Sequence, residues 1–240
     1  MIAPTVVPGA DAPAILDEAL VWLNDPVNWT GSGGVVALTA EHLAMTVIAV
    51  VVATAIALPL GIWLGATGRG STLTVVVANT SRALPTLALL TLFAASAIGF
   101  GNRATVLAVT IFAIPPILTN AYEGVRGADP DARDAAAGMG MSRRRVLGAV
   151  AIPLAMPVIG AGIRTSAVQV VATIPLAALV GGGGLGVVIV TGLATQRYGK
   201  ALAGAILVAA ICLAVEGLLA LVQHVLTPRP LRALARAAAG

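Results

Sequence analysis

From Leu43 to Leu64 the chain runs for 22 residues without a charged side chain. At 1.5 Å per residue a helix of that length rises about 33 Å, enough to cross the roughly 30 Å of hydrocarbon in a bilayer. Further apolar runs lie at 83–101, 104–122, 158–180 and 201–226, and from Thr165 to Thr195 there is no charge for 31 residues, more than one crossing needs. A turn over Gly181-Gly182-Gly183-Gly184-Leu185-Gly186, followed by a short re-entrant or interfacial helix, would absorb the excess. With 58% hydrophobic and 10% charged residues and a mean hydropathy of +0.98, the chain holds more apolar side chains than one soluble core could enclose. The expectation is an all-α integral membrane protein, one domain over 1–240 with five spans in the runs just named.

The polar segments arrange those spans. Residues 1–41 carry Asp11, Asp17, Glu18, Asp25 and Glu41 and no basic residue, and the apolar face around Trp22, with Trp29 after it, reads as an interfacial arm. The longest polar interruption, Asp129 to Pro157, writes a helix start at its head. Asp129 can cap, Pro130 can take the first helical position, and Asp131 adds negative charge to the first turn. That short helix is expected to end near Gly138 or Gly140. If this loop is cytoplasmic, ten basic residues share its side (Arg69, Arg82, Arg126, Arg133, Arg143, Arg144, Arg145, Arg229, Arg232, Arg236), against Arg103, Arg197 and Lys200 on the other. The bias places the N-terminus outside and the C-terminus inside a cell membrane.

Several chemistries find no support. Gly181-x-Gly183-x-x-Gly186 matches a dinucleotide fingerprint by letters, yet no β-α-β context surrounds it. Lys200 is the only lysine and stands in no phosphate-binding loop, so the chain is not expected to bind ATP, any cofactor or a metal itself, and no catalytic residue is assigned. His42 and His224 stand far apart in sequence, lack a ligand set, and are expected at the membrane interface. Cys212 alone cannot form an internal disulfide. With no basic n-region or cleavage site at its head, no signal peptide is expected.

Two features point toward transport. Gly162, Ser166, Gln169 and Thr173 recur at steps of four, three and four, so they share one face of the fourth span. Such a stripe either glues helices through hydrogen bonds or lines a translocation route, and the spacing is the same for both. Pro175, just beyond it, could supply a bend. Glu216 sits inside the fifth span, where an ionisable group is usually paired or lines water. A structural contact with Arg164 or another polar residue is expected; a proton relay is the other reading.

The central loop also resembles a known pattern, E-A-A-x-x-x-G followed after nine residues by I-x-L-P, the cytoplasmic loop of ABC-importer permeases. It falls here on Asp134, Ala135, Ala136, Gly140, Val150, Ile152 and Pro153, with Asp for Glu. From roughly Glu41 to Gly192 the chain is similar to the permease subunit of osmoprotectant (glycine betaine, carnitine, choline) importers. The segments that carry this include Glu41-His42-Leu43, Leu84-Pro85-Thr86-Leu87, Ala161-Gly162-Ile163-Arg164-Thr165 and Gly183-Gly184-Leu185-Gly186. The methionine-importer permeases share some of it.

The resemblance implies a type I importer bundle. Its partners would be a cytoplasmic ATPase pair holding ATP and magnesium, a second permease chain, and an extracellular binding protein. It further implies a coupling helix contributed by Asp134, Ala135, Ala136, Gly138, Gly140, Met141 and Arg143, with hinges at Pro153 and Pro157 and a bend at Pro175. Pathway candidates are Ser166, Gln169, Thr173 and Glu216. An ion-driven secondary transporter is the competing class, and it would want paired intramembrane carboxylates and inverted repeats.

Overall fold

Four helices in the computed structural model, which describes residues 12–68 and 85–226, are long and apolar enough to cross a membrane. They are α2 (Val35–Thr67), α4 (Asn102–Arg126), a composite helix from Arg143 to Val180, and α9 (Tyr198–Leu226). The composite is built from α6 (Arg143–Val146), a π turn (Leu147–Ala151), α7 (Ile152–Thr173) and a 3-10 segment (Ile174–Val180). Shorter helices complete the set: α1 (Ala12–Asn24), α3 (Thr86–Ala94), α5 (Pro130–Gly138) and α8 (Gly186–Ala194). No strand occurs among the described residues.

The core is a close pairing of α2 with α4, made possible by small side chains. Ala49, Ala53 and Ala57 recur every fourth residue on α2, are fully buried, and pack with Val109, Ala113 and Ile117 of α4. Further along, a Cβ on Gly61 would lie 2.7 Å from the Leu118 carbonyl. Glu41 meets Asn102 at one end of the pair, and Gly68 lies beside Arg126 at the other, so the two helices run parallel.

α7 returns antiparallel along α4. Ala155 packs against Gly124, and Ser166 reaches Ala113. α9 then runs beside α7, tied by Gln223 Nε2 donating to the Pro157 carbonyl at 2.7 Å. Much of its remaining surface is exposed and apolar, with Leu213, Leu218, Leu221 and Val225 pointing outward, as expected of a helix that meets lipid. Two ends of the bundle can therefore be distinguished: one carries Glu41 and Asn102, the other α5 and the arginines at 143–145.

Several sequence expectations shift. Of the expected second span, 83–101, the described residues are helical over Thr86–Ala94, a rise of about 14 Å, and residues 69–84 before it lie outside the described residues. Ser96 to Gly101 instead form turns, and the expected boundary segment 70–81 lies outside the described residues. The helix that carries the fourth span begins earlier than 158, because α6 and the π turn run into α7 without a break. α8 supplies the short helix expected after the glycine run.

Trp22, on the arm read as interfacial, packs into the protein. It is buried with Leu38, Val188 and Ala203, because α1 lies on α9 and is held there by Glu18, which pairs with Arg197 at 3.2 Å and accepts from the Gly199 N–H. His42, expected at the interface, is fully buried: its Nε2 lies 3.0 Å from the Val171 carbonyl, joining α2 to the end of α7. His224 is exposed on α9.

Candidate functional site

The first candidate surface is α5. Its start is made by Asp129, whose carboxylate accepts from the Asp131 N–H at 3.0 Å, with Pro130 in the first turn, where no N–H is needed. Its end is closed by a paired cap. Met141 N–H donates to Ala136 O and Gly140 N–H to Ala137 O, with Gly140 at φ +84°, the left-handed conformation this cap requires. Ala136 is buried against the bundle, while Asp134, Ala135, Gly138 and Met139 face outward. Beside Asp134 and Met139, the small Ala135 and Gly138 leave part of that face open to close approach by another backbone.

Between α5, α6 and the ends of α2 and α4 lies a hollow of about 650 Å³. Arg133, Asp134, Met141, Arg143 and Arg144 stand on its rim, over a floor that includes Val125, Leu147 and Ala151. Among the described residues none of these arginines makes an ion pair. The sequence-predicted residues of this loop are therefore brought together, with Ala136 turned inward and Met141 and Arg143 on the hollow.

Pro153 and Pro175 mark changes in helix type. Pro153 has no N–H to give the carbonyl four residues before it, and the π turn Leu147–Ala151 directly precedes it. Pro157 lies inside α7, and its carbonyl accepts from Gln223 Nε2 of α9. At Pro175, α7 gives way to the 3-10 segment.

The polar stripe of α7 divides. Ser166 is fully buried and donates to Ala113 O at 2.7 Å, and a Cβ on Gly162 would come within 2.5 Å of the Asn120 Cβ. Both belong to the α4–α7 seam, which is the gluing alternative for that half of the stripe. Gln169 is exposed, and Thr173 turns its hydroxyl back onto the Gln169 carbonyl at 2.7 Å. Glu216 meets Arg164 at 3.2 Å, one of the partners its position left open.

The opposite end holds a constellation that sequence reasoning did not assemble. Glu41, in the second turn of α2, accepts from Asn102 Nδ2 at the start of α4 and from the Gly184 N–H at 2.9 Å; Asn102 Oδ1 accepts from the Gly183 N–H at 2.8 Å. A side chain on Gly183 would collide with the Glu41 carboxylate. One glutamate, one asparagine and a glycine turn thus lock three separate segments. The available signal was an acidic residue at the head of an apolar run, together with four consecutive glycines far downstream.

Residues 57–227 match the family described as binding-protein-dependent transport system inner membrane component. The chain is 33% identical over 205 residues to the choline transport system permease protein of Bacillus subtilis, spanning 85% of this chain and 94% of that protein. It is 38% identical over 194 residues to a carnitine transport permease protein of Listeria monocytogenes, spanning 81% and 88%. The fold is also that of a chain in the inward-facing MetNI methionine ABC transporter, at a TM-score of 0.66 and 21% identity over 79% of this chain and 94% of that one.

Proposed function

The chain belongs to the binding-protein-dependent transport system inner membrane components, and from that membership we propose that it carries quaternary-amine osmoprotectants such as choline, carnitine or glycine betaine across the membrane. As a family member it is a multi-pass inner-membrane permease subunit, not an enzyme, and it serves a system with a binding protein and a separate ATPase. The cargo reading is supported by the names of relatives one third identical along most of their length.

The mechanical reading is carried by α5, a helix capped at both ends and presenting a small-residue face between two crossings. Two permease chains, identical or related, form the pathway, with the N-terminus outside and the arginine end in the cytoplasm. On each chain Ala135 and Gly138 let α5 seat in a groove of the ATPase, where Asp134 meets a basic residue; ATP and magnesium stay on that subunit. Closure of the ATPase pair pushes α5 against α6 and the π turn. The push then reaches α7 at Pro153 and Pro157, where backbone hydrogen bonds are missing and bending is cheap, while Pro175 serves as the bend at the far end. Gln169, Thr173 and Glu216 remain the pathway candidates; Ser166 acts through the seam.

The test is uptake into proteoliposomes that hold the permease, its ATPase and its binding protein, comparing choline, carnitine, glycine betaine and methionine. ATP-dependent uptake of the quaternary amines is expected. Uptake of methionine alone overturns the cargo, and uptake driven by an ion gradient without ATP overturns the class.

A further inference from the structure

Glu41, Phe100, Asn102, Arg103 and the turn Gly181–Gly183 line a hollow of about 590 Å³ at the end of the bundle away from α5. We propose that this hollow is a way station for zwitterionic quaternary amines, with Glu41 and Phe100 receiving the ammonium end and Arg103 the carboxylate end. The proposal rests on the cargo class given above and adds the residues that discriminate within it.

Three properties of the hollow carry the inference. First, the Glu41 carboxylate is held by a donor on each oxygen, Asn102 on one and the Gly184 N–H on the other, so its position is fixed before any cargo arrives. A quaternary ammonium has no N–H and asks nothing of the remaining lone pairs; it responds to the negative charge alone. Second, Phe100 is 76% exposed, a ring left in the open in a chain with 3% aromatic residues, and ring faces attract cations. Third, Arg103 lines the same hollow, is exposed, and makes no ion pair among the described residues. Opposite charges that share a cavity without pairing present a separated dipole. Carnitine and glycine betaine match it at both ends; choline, which has no carboxylate, matches only the Glu41 and Phe100 side.

The test uses the full transporter in proteoliposomes with saturating binding protein, and reads the initial rate of choline uptake divided by that of carnitine. Arg103→Gln is expected to raise this ratio about three- to fivefold, the scale of one solvent-exposed ion pair. Phe100→Leu is expected to slow both cargoes and leave the ratio unchanged. An unchanged ratio in Arg103→Gln overturns the carboxylate assignment, including the case where both rates fall together because binding-protein contact is impaired. Wild-type rates in Phe100→Leu overturn the ammonium assignment. Wild-type transporter that moves none of the quaternary amines removes the cargo reading and this inference together, an outcome distinct from the other two.

Discussion

Arg164 and Glu216 face each other at 3.2 Å across the α7–α9 seam, each only partly shielded by protein. In water such a pair would contribute little, but here both helices belong to membrane-crossing segments, where an unpartnered charge is costly. Glu216→Ala is expected to destabilise the bundle by about 2 kcal/mol, read as a lower melting temperature in lipid nanodiscs. The exchanged pair, Arg164→Glu with Glu216→Arg, should recover most of the loss. Equal instability in the single and double variants would show that the contact is incidental.

Gly138 and Gly140 separate shape from docking. Nothing lies within 4 Å of a Cβ at Gly138 and its φ is not positive, so Gly138→Trp should leave stability within about 0.5 kcal/mol of wild type, as for other surface changes. Its bulk on the outer face of α5 should nevertheless abolish co-purification of the ATPase and ATP-driven uptake. Gly140→Ala, by contrast, forces a side chain into the left-handed region and should cost about 1–2 kcal/mol in thermal unfolding. Retained ATPase binding in Gly138→Trp would remove α5 from the coupling interface.

On the α4–α7 seam, close approach should outweigh hydrogen bonding. Gly162→Val must push apart helices already at contact distance and is expected to cost about 1–3 kcal/mol. Ser166→Ala removes one hydroxyl bond to a carbonyl and should cost about 0.6 kcal/mol. Denaturation of both variants in mixed micelles would rank them, and the reverse order would count against the seam.

At the Glu41 end, Gly183→Ala is expected to displace the carboxylate that joins α2 to the glycine turn and to lower stability by about 1–3 kcal/mol. Gly33→Ala, in open space, is the control. Matching melting curves for the two variants would mean the turn yields freely.

How much of this was legible depended on the distance over which each signal acts. The start of α5 was readable because Asp129 and Pro130 act on their own next turn, and its end because Gly140 acts on the residues just before it. That Glu216 needs a partner was legible because intramembrane charges are few and costly alone, but the choice of Arg164 over another polar residue was settled only by the helix packing. The Glu41–Asn102–Gly183 lock was not readable: its members are 61 and 81 residues apart, and no periodicity links them. His42 was misplaced for a related reason, since its acceptor is a backbone carbonyl 129 residues away and carbonyls leave no trace in sequence. The stripe on α7 stayed ambiguous because polar spacing reports a shared face without naming what that face meets. The π turn illustrates the same limit: Pro153 announces a missing bond, but neighbouring packing decides how the helix accommodates it.

Because α5 is closed at its first turn by Asp129 and at its last by the Gly140 cap, its length owes nothing to whatever grips it. A peg of fixed length can be seized and released once per cycle without melting and refreezing, so no ordering entropy is lost at each engagement. Under the proposed coupling role of α5, a stroke from the ATPase is spent on moving the bundle instead of on assembling the handle.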